Sequence, residues 1–439
     1  MKNKTRIVLD MTEFNSWSGH LTGIQRVVGG ILEGFDEKAT VLVTFDEKIG
    51  DFVEIERQQI DEVITQKVAE LYSVEPSGKK AELKQFAKKV YRKLPTGVKG
   101  YLNEDRRSHL KKLANKALDV RKQLLGRSNG VTLAVDNSQV FNFSADDVLV
   151  SAGRSWDNKR ALDKMVALSN ESGAKLGFVV YDLIPIYQQH TFGHGLVDRF
   201  SEYLFTVLTS AEYLFPISES TKNDLGKYAD ELGFLKAPIM KTIRLGDSIN
   251  TNELSQKPRF IKSDQPFAVS VGTIEARKNI MELYFAYKLA FEKSLDLPIL
   301  YIIGKPGWLT SDTIFFIQND LSIKDKMIIV NDVNDAELAW LYKNAHFTLY
   351  VSQYEGWGLP IAESLAIGTP CIASHSSSMT EIDKDLTDFV SPYDPAQLVE
   401  KMSYYAQTNN SLARRKVIEA NYKLTDWSVT SNAILKQVN

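Results

Sequence analysis

The chain has 439 residues and a mass of 49.5 kDa, which is more than one ordinary core accommodates and predicts two or three domains. With 44% hydrophobic and 25% charged residues it is neither disordered nor fibrous, and a single cysteine excludes a disulfide framework or a multi-cysteine metal site. Net charge is only -2, yet Lys79 to Arg127 hold 16 basic and 4 acidic residues, so a +12 block faces -14 elsewhere.

In chain order, the N-terminal RIVLD reads as a first β-strand, because its apolar stretch is too short for a signal peptide. No apolar run approaches the roughly 20 residues that span a bilayer, and the chain reads as cytoplasmic. ATVLVTF, DVLVSAG, KLGFVVYD, YLFPIS, FAVSVG, ILYIIG, KMIIV, FTLYVS and PCIAS continue the strands, most followed by helical periodicity. This βαβ alternation predicts an α/β protein, and ten strands suit two doubly wound sheets. The polar stretch at 247–265 is the best linker, so the domains are expected at 1–247 and 248–425, with 426–439 a separate closing segment.

Residues 51–129 interrupt the first domain and read as a helical excursion. Leu110, Leu113, Ala114, Ala117 and Leu118 form an amphipathic stripe with Lys111, Lys112, Lys116 and Lys122 on other faces. Such a block suits an anionic partner, with an anionic membrane surface meeting 79–127 as one reading and a merely solvated hairpin as the other. Nucleic acid is not expected, since aromatic residues are sparse there and no known module is present.

The strongest constellation is Tyr354-Glu355-Gly356-Trp357-Gly358-Leu359-Pro360-Ile361-Ala362-Glu363, delivered by the strand FTLYVS. Its glycines allow a tight turn, and Pro360 suits the start of a helix. Glu355 then lies at a strand's carboxyl end and Glu363 in the next helix's first turn, where open α/β sheets bind ligands. A glutamate at a helix start can also be purely structural. The second constellation, Gly272-Thr273-Ile274-Glu275-Ala276-Arg277-Lys278-Asn279, follows the strand FAVSV. Arg277 offers a planar fork and Lys278 a point charge for phosphate. Cations for phosphates and carboxylates for hydroxyls describe a pocket for a sugar esterified to a nucleoside diphosphate.

These strings resemble the retaining GT-B glycosyltransferases of family 4, specifically mannosyltransferase-like enzymes of bacterial surface polysaccharides. VGTIEARKN, IIGKPGW, NDVNDAELAWLYKNA, SQYEGWGLPIAESLAIGTPCIAS and SSMTEI carry the likeness in the second half, and DMTEFNSWSGHLTGIQRVVGGIL, YDLIPI and FPISESTKNDL in the first. The resemblance implies two Rossmann-like domains facing a cleft, the first an acceptor domain and the second a donor domain, with the closing segment packing back on the first. It implies that Arg277 and Lys278 bind the donor diphosphate, Glu355 the transferred sugar and Glu363 the ribose. Gly272 and Thr273 belong to the donor loop, and Gly356, Trp357, Gly358 and Leu359 support sugar and phosphates. Asn331 and Val333 would border the base. Gly23 would let the first loop approach the donor, with Gln25 and Arg26 nearby, and Asp182 would face the acceptor. Tyr181 departs from the family, standing where many relatives carry histidine. The implied reaction moves a hexose, GDP-mannose being the first donor candidate, to a glycan or lipid-linked glycan hydroxyl. The alternative is a transferase-fold scaffold without catalysis.

No cofactor and no metal are expected. Asp383-Lys384-Asp385 fits an Asp-x-Asp metal pattern but reads as a solvated loop, and His190 with His194 has zinc spacing but glycines that argue against a helix. Cys371 reads as a buried small side chain. Trp17 and Trp357 could line the sugar site, whereas Trp340 reads as packing.

Overall fold

The computed structural model describes residues 5–15, 23–35, 40–63, 140–247, 255–262, 265–331 and 333–438. Trp17, the basic block 79–127 with its stripe, and part of the linker lie outside the described residues.

All ten strands read from the sequence are present, in two sheets. The first contains β1 (Arg6–Asp10), β2 (Thr40–Asp46), β3 (Asp51–Ile55), β4 (Asp147–Ser151), β5 (Lys175–Val180), β6 (Tyr213–Pro216) and β7 (Ile239–Met240), ordered β3-β2-β1-β4-β5-β6-β7. The second contains β8 (Phe267–Val271), β9 (Ile299–Ile303), β10 (Met327–Val330), β11 (Phe347–Tyr350), β12 (Cys371–Ser374) and β13 (Thr387–Val390), ordered β10-β9-β8-β11-β12-β13. Every described pairing is parallel except β2 with β3. Strands such as β4 and β11 are buried from end to end, as parallel strands covered on both faces must be.

The excursion needs correction at its start. Residues 51–55 are not helical but form β3, antiparallel to β2 with Phe45 opposite Phe52. A helical stretch follows at 57–63, burying Ile60 and Val63. The chain re-enters beside the same strand, with a bridge between Val53 and Val140 and the Phe141 amide donating to the Phe52 carbonyl at 2.9 Å.

Strand order decides where a site can form. Sequence order reverses between β1 and β4 in the first sheet and between β8 and β11 in the second. At such a reversal the loops leaving neighbouring strands turn opposite ways and open a crevice at the carboxyl edge. The glutamate loop follows β11 and the arginine–lysine loop follows β8, so the two constellations share one crevice.

The halves pack closely. A continuous buried apolar cluster runs from Ile7, Val28 and Ile31 in the first to Trp357, Ile361 and Met379 in the second. The helix Trp427–Val438 lies on the helix Gly23–Gly34, where the Ser431 hydroxyl donates to the Ile31 carbonyl at 2.9 Å. Where the chain crosses between halves, Asp247 is buried and accepts from the Thr425 amide and the Tyr422 hydroxyl, each at 2.6 Å.

Candidate active site

At the second sheet's reversal, Lys278 Nζ lies 2.6 Å and Arg277 Nη1 2.7 Å from the same oxygen, Oε1 of Glu355. Lys278 also donates to the Tyr350 hydroxyl at 2.8 Å. Glu275, buried and not singled out from the sequence, closes the group with its Oε2 at 3.1 Å from Arg277 Nε. The signal was present in the Gly272–Asn279 string, but a carboxylate two residues before an arginine has no spatial meaning until the loop's turn is known. Thr273 is exposed on this loop, and Gly272 is held at φ 145° beside the Lys278 stem.

The glutamate loop is held from three sides. The Gln353 amide donates to the Arg277 carbonyl at 2.8 Å, tying the loop to the neighbouring strand's turn. Ser376 donates to the Gln353 carbonyl, the Ser377 hydroxyl accepts from the Glu355 amide, and Ser378 donates to the carbonyls of Glu355 and Trp357, all within 2.9 Å. Of this serine run, Ser377 and Ser378 open the SSMTEI string that carries the family resemblance. Gly358, at φ 132°, begins the helix Leu359–Ala366, a conformation that L side chains rarely adopt.

Gly356 touches the other half. A Cβ there would lie 2.0 Å from the Tyr181 carbonyl oxygen, so the β5 and β11 loops meet backbone to backbone. Asp182 follows Tyr181 and accepts from the Ile184 amide at 3.0 Å. Burial raises the Asp182 carboxyl above its ordinary range, with Arg277 and Lys278 opposing that and Glu355 adding to it. Tyr181 itself does not offer its hydroxyl to the cleft. It is buried and donates to the Ala152 carbonyl at 2.6 Å.

Electrostatics fix the protonation of Glu355. Burial works against its charge, but Arg277 and Lys278 more than offset this and hold the carboxyl down at about 2. Burial likewise pulls the Lys278 ammonium below its ordinary value, with Glu355 opposing it. Because the folded value of Glu355 lies below the usual 4.5, its stabilisation is complete above that pH and lost as pH falls through about 2. The shift corresponds to about 3 kcal/mol. Urea titrations from pH 5 to 2 are therefore expected to show a steeper loss of stability for the wild type than for Glu355→Gln.

Glu363, 6% exposed, accepts on Oε2 from the Tyr342 hydroxyl at 2.8 Å and on Oε1 from Arg26 of the first half. Gly23 begins Arg26's helix, and its missing Cβ would sit 3.7 Å from Leu359 Cδ1. The structure thus brings together Gly23, Asp182, Gly272, Arg277, Lys278, Glu355, Gly356, Gly358, Leu359 and Glu363 around one cleft.

Other residues fall elsewhere. The Trp357 side chain is 7% exposed and belongs to the apolar cluster that also holds Met379 and Ile361. Asn331 and Val333 follow β10, two strands from the reversal; Asn331 is exposed and Val333 packs with the cluster around Phe267 and Leu341. Trp340 stacks on Phe267 at 6.0 Å, in keeping with packing. Cys371 is buried. Asp383 to Asp385 form a turn, with Lys384 and Asp385 exposed. A helix does begin at His194, with Gly193 as its N-cap, contrary to the expectation from the glycines; His190 lies in a separate single turn before it. Among the described residues, no helix is long and apolar enough to cross a membrane.

Residues 251–424 match the family model described as glycosyl transferases group 1. This stretch is a glycosyltransferase group 1 domain. Over 311 residues the chain is 24% identical to the serotype-specific mannosyltransferase WbdA of Escherichia coli, covering 67% of this chain and 37% of that protein. It is 33% identical over 132 residues to O-antigen chain mannosyltransferase B of Escherichia coli, covering 30% and 34% of the two chains. Thus the group 1 domain and its surroundings span about a third of these relatives' length. The whole fold is similar to Anabaena HepE solved with UDP and glucose, at TM-score 0.58, 11% identity and 99% coverage of both chains. A UDP-forming α,α-trehalose-phosphate synthase from Burkholderia xenovorans gives 0.57 at 13% identity, again over 99% of both. The architecture is GT-B, with two parallel Rossmann-like sheets around a cleft.

Proposed function

We propose that the chain is a retaining, metal-independent hexosyltransferase. It moves a sugar from a nucleoside diphosphate, GDP-mannose first among the candidates, to a hydroxyl of a glycan or lipid-linked glycan in surface polysaccharide synthesis. The reading rests above all on Arg277 and Lys278 converging on Glu355 at a sheet reversal opposite Asp182. The mannosyltransferases named above support the choice of sugar, and HepE, solved with UDP and glucose, keeps UDP-sugars as the rival donors.

In this reading the bond between the anomeric carbon and the diphosphate oxygen breaks as the acceptor oxygen bonds to the same face. The acceptor proton passes to the departing diphosphate. Negative charge grows on that diphosphate, and preorganised cations stabilise it without reorganising. Arg277 and Lys278 supply those cations, which is why no metal is invoked. Glu355, kept ionised, orients the sugar hydroxyls as an acceptor. Asp182 borders the acceptor side, and Gly272, Thr273, Gly358 and Leu359 approach the phosphates.

The test is nucleotide release from GDP-mannose, UDP-glucose, UDP-galactose and dTDP-rhamnose, with and without lipid-linked acceptor and with EDTA present. Acceptor-dependent release with one donor, an α-linked product from an α-linked donor and indifference to EDTA are expected. A product whose anomeric configuration is opposite to its donor's would end the retaining assignment, and loss of activity in EDTA the metal-independent one. Release with no donor would favour a scaffold.

The basic block is proposed to meet the inner membrane face, at about 1 kcal/mol per basic residue close to anionic lipid. Co-sedimentation with vesicles containing phosphatidylglycerol is expected to fall steeply when 79–127 is deleted, and equal binding by the deletion would refute the assignment.

A further inference from the structure

We propose that Arg26 and the ribose of a nucleoside diphosphate exchange places on Glu363. The inference rests on the reading of Glu363 as the ribose acceptor and adds a role for a residue of the opposite half.

Both oxygens of Glu363 are engaged, Oε2 by Tyr342 and Oε1 by Arg26. The two partners differ in how easily they can leave. Tyr342 is fully buried within the second half, whereas the Arg26 side chain is 33% exposed and comes from the first turn of a helix in the other half. Moving Tyr342 would open a core, whereas Arg26 is a long, partly exposed side chain reaching in from the opposite half. A vicinal diol brings two O–H donors, which a carboxylate accepts in charge-assisted bonds. It reaches Glu363 by taking the Oε1 side that Arg26 now holds.

The displaced guanidinium has a partner ready. Its helix begins at Gly23, packed against Leu359 beside Gly358, on the approach proposed above for the phosphates. A planar fork suits a diphosphate, which carries more charge than the carboxylate it replaces. The ribose therefore removes Arg26 from Glu363 while the phosphates receive it, and the donor draws both halves onto itself through one side chain. Arg26 opposes binding of the nucleoside portion and favours binding of the diphosphate, and this opposition of signs separates exchange from an ordinary structural ion pair.

The experiment measures dissociation constants of guanosine, uridine, GDP and UDP for the full chain and for Arg26→Gln, by ligand-observed NMR and calorimetry, with thermal unfolding to confirm folding. For whichever base binds, Arg26→Gln is expected to tighten the nucleoside about three- to tenfold and to weaken the diphosphate by a similar factor. Arg26→Lys, which keeps the charge and loses the fork, is expected between the wild type and Arg26→Gln, and it carries the test if Arg26→Gln unfolds. Changes in the same direction for nucleoside and diphosphate, or no change in either, overturn the exchange. Glu363→Gln separates the two levels of inference. If it leaves nucleoside affinity unaltered, Glu363 does not hold the ribose and the underlying reading fails. If it weakens the nucleoside while Arg26→Gln produces no split, the exchange alone fails.

Discussion

Lys278→Ala is expected to lower the rate of sugar transfer at saturating donor by about 10²–10³-fold, the usual effect of removing one preorganised donor to developing charge. The ammonium sits 2.6 Å from Glu355 with its side chain 13% exposed, so water replaces it poorly. Folding is expected to survive, because Arg277 still faces Glu355 at 2.7 Å and the carboxylate is not left alone. That arrangement distinguishes the variant from one that strands a buried charge, which costs about 3–5 kcal/mol. Acceptor-dependent nucleotide release, with the melting temperature as control, reads the result. Unchanged turnover in both Lys278→Ala and Arg277→Lys would make the group a structural ion-pair network and remove it from the catalytic machinery.

Gly356→Ala is expected to disable the protein by another route. Its Cβ would fall 2.0 Å from the Tyr181 carbonyl and 3.0 Å from the Asp182 Cβ. A main-chain carbonyl cannot step aside as a flexible side-chain tip can, so the β5 and β11 loops must separate. Separation also disturbs Tyr354, which donates to Asp224 across the cleft, and Glu381, which accepts from the amides of Glu219 and Ser220 at 2.9 and 2.8 Å. Overpacking of this kind costs about 1–3 kcal/mol, and turnover is expected to fall at least 100-fold as Asp182 moves off the charged group. Gly193→Ala, which meets nothing within 4 Å, is the matched control. A wild-type rate in Gly356→Ala would show that closure of the two loops is dispensable.

How much of this was readable beforehand depended on range along the chain. Strands flanked by turn residues announced themselves through runs such as FTLYVS and FAVSV, and the site residues followed them directly. β13 was hidden because TDFV is short and set among acidic residues, and β3 because DFVEI is a five-residue edge strand with an exposed glutamate inside it. β7 has two residues, too few for any period. The adjacency of β8 and β11, which brings Lys278 to Glu355 across 77 positions, is a property of strand order and not of either segment. Contacts across the cleft were less accessible still. Arg26 and Glu363 are 337 positions apart, and nothing local to either residue names the other. The inward turn of Trp357 was likewise invisible, since the same Gly-Trp-Gly string serves a ring facing a sugar or a core.

The chain returns to the first sheet beside β3, where Val140 bridges to Val53. That re-entry lies at one border of the sheet, away from the β1–β4 reversal. Closing a shorter loop carries a smaller entropic penalty, so a Gly-Ser tether in place of 64–139 should leave the Rossmann framework intact.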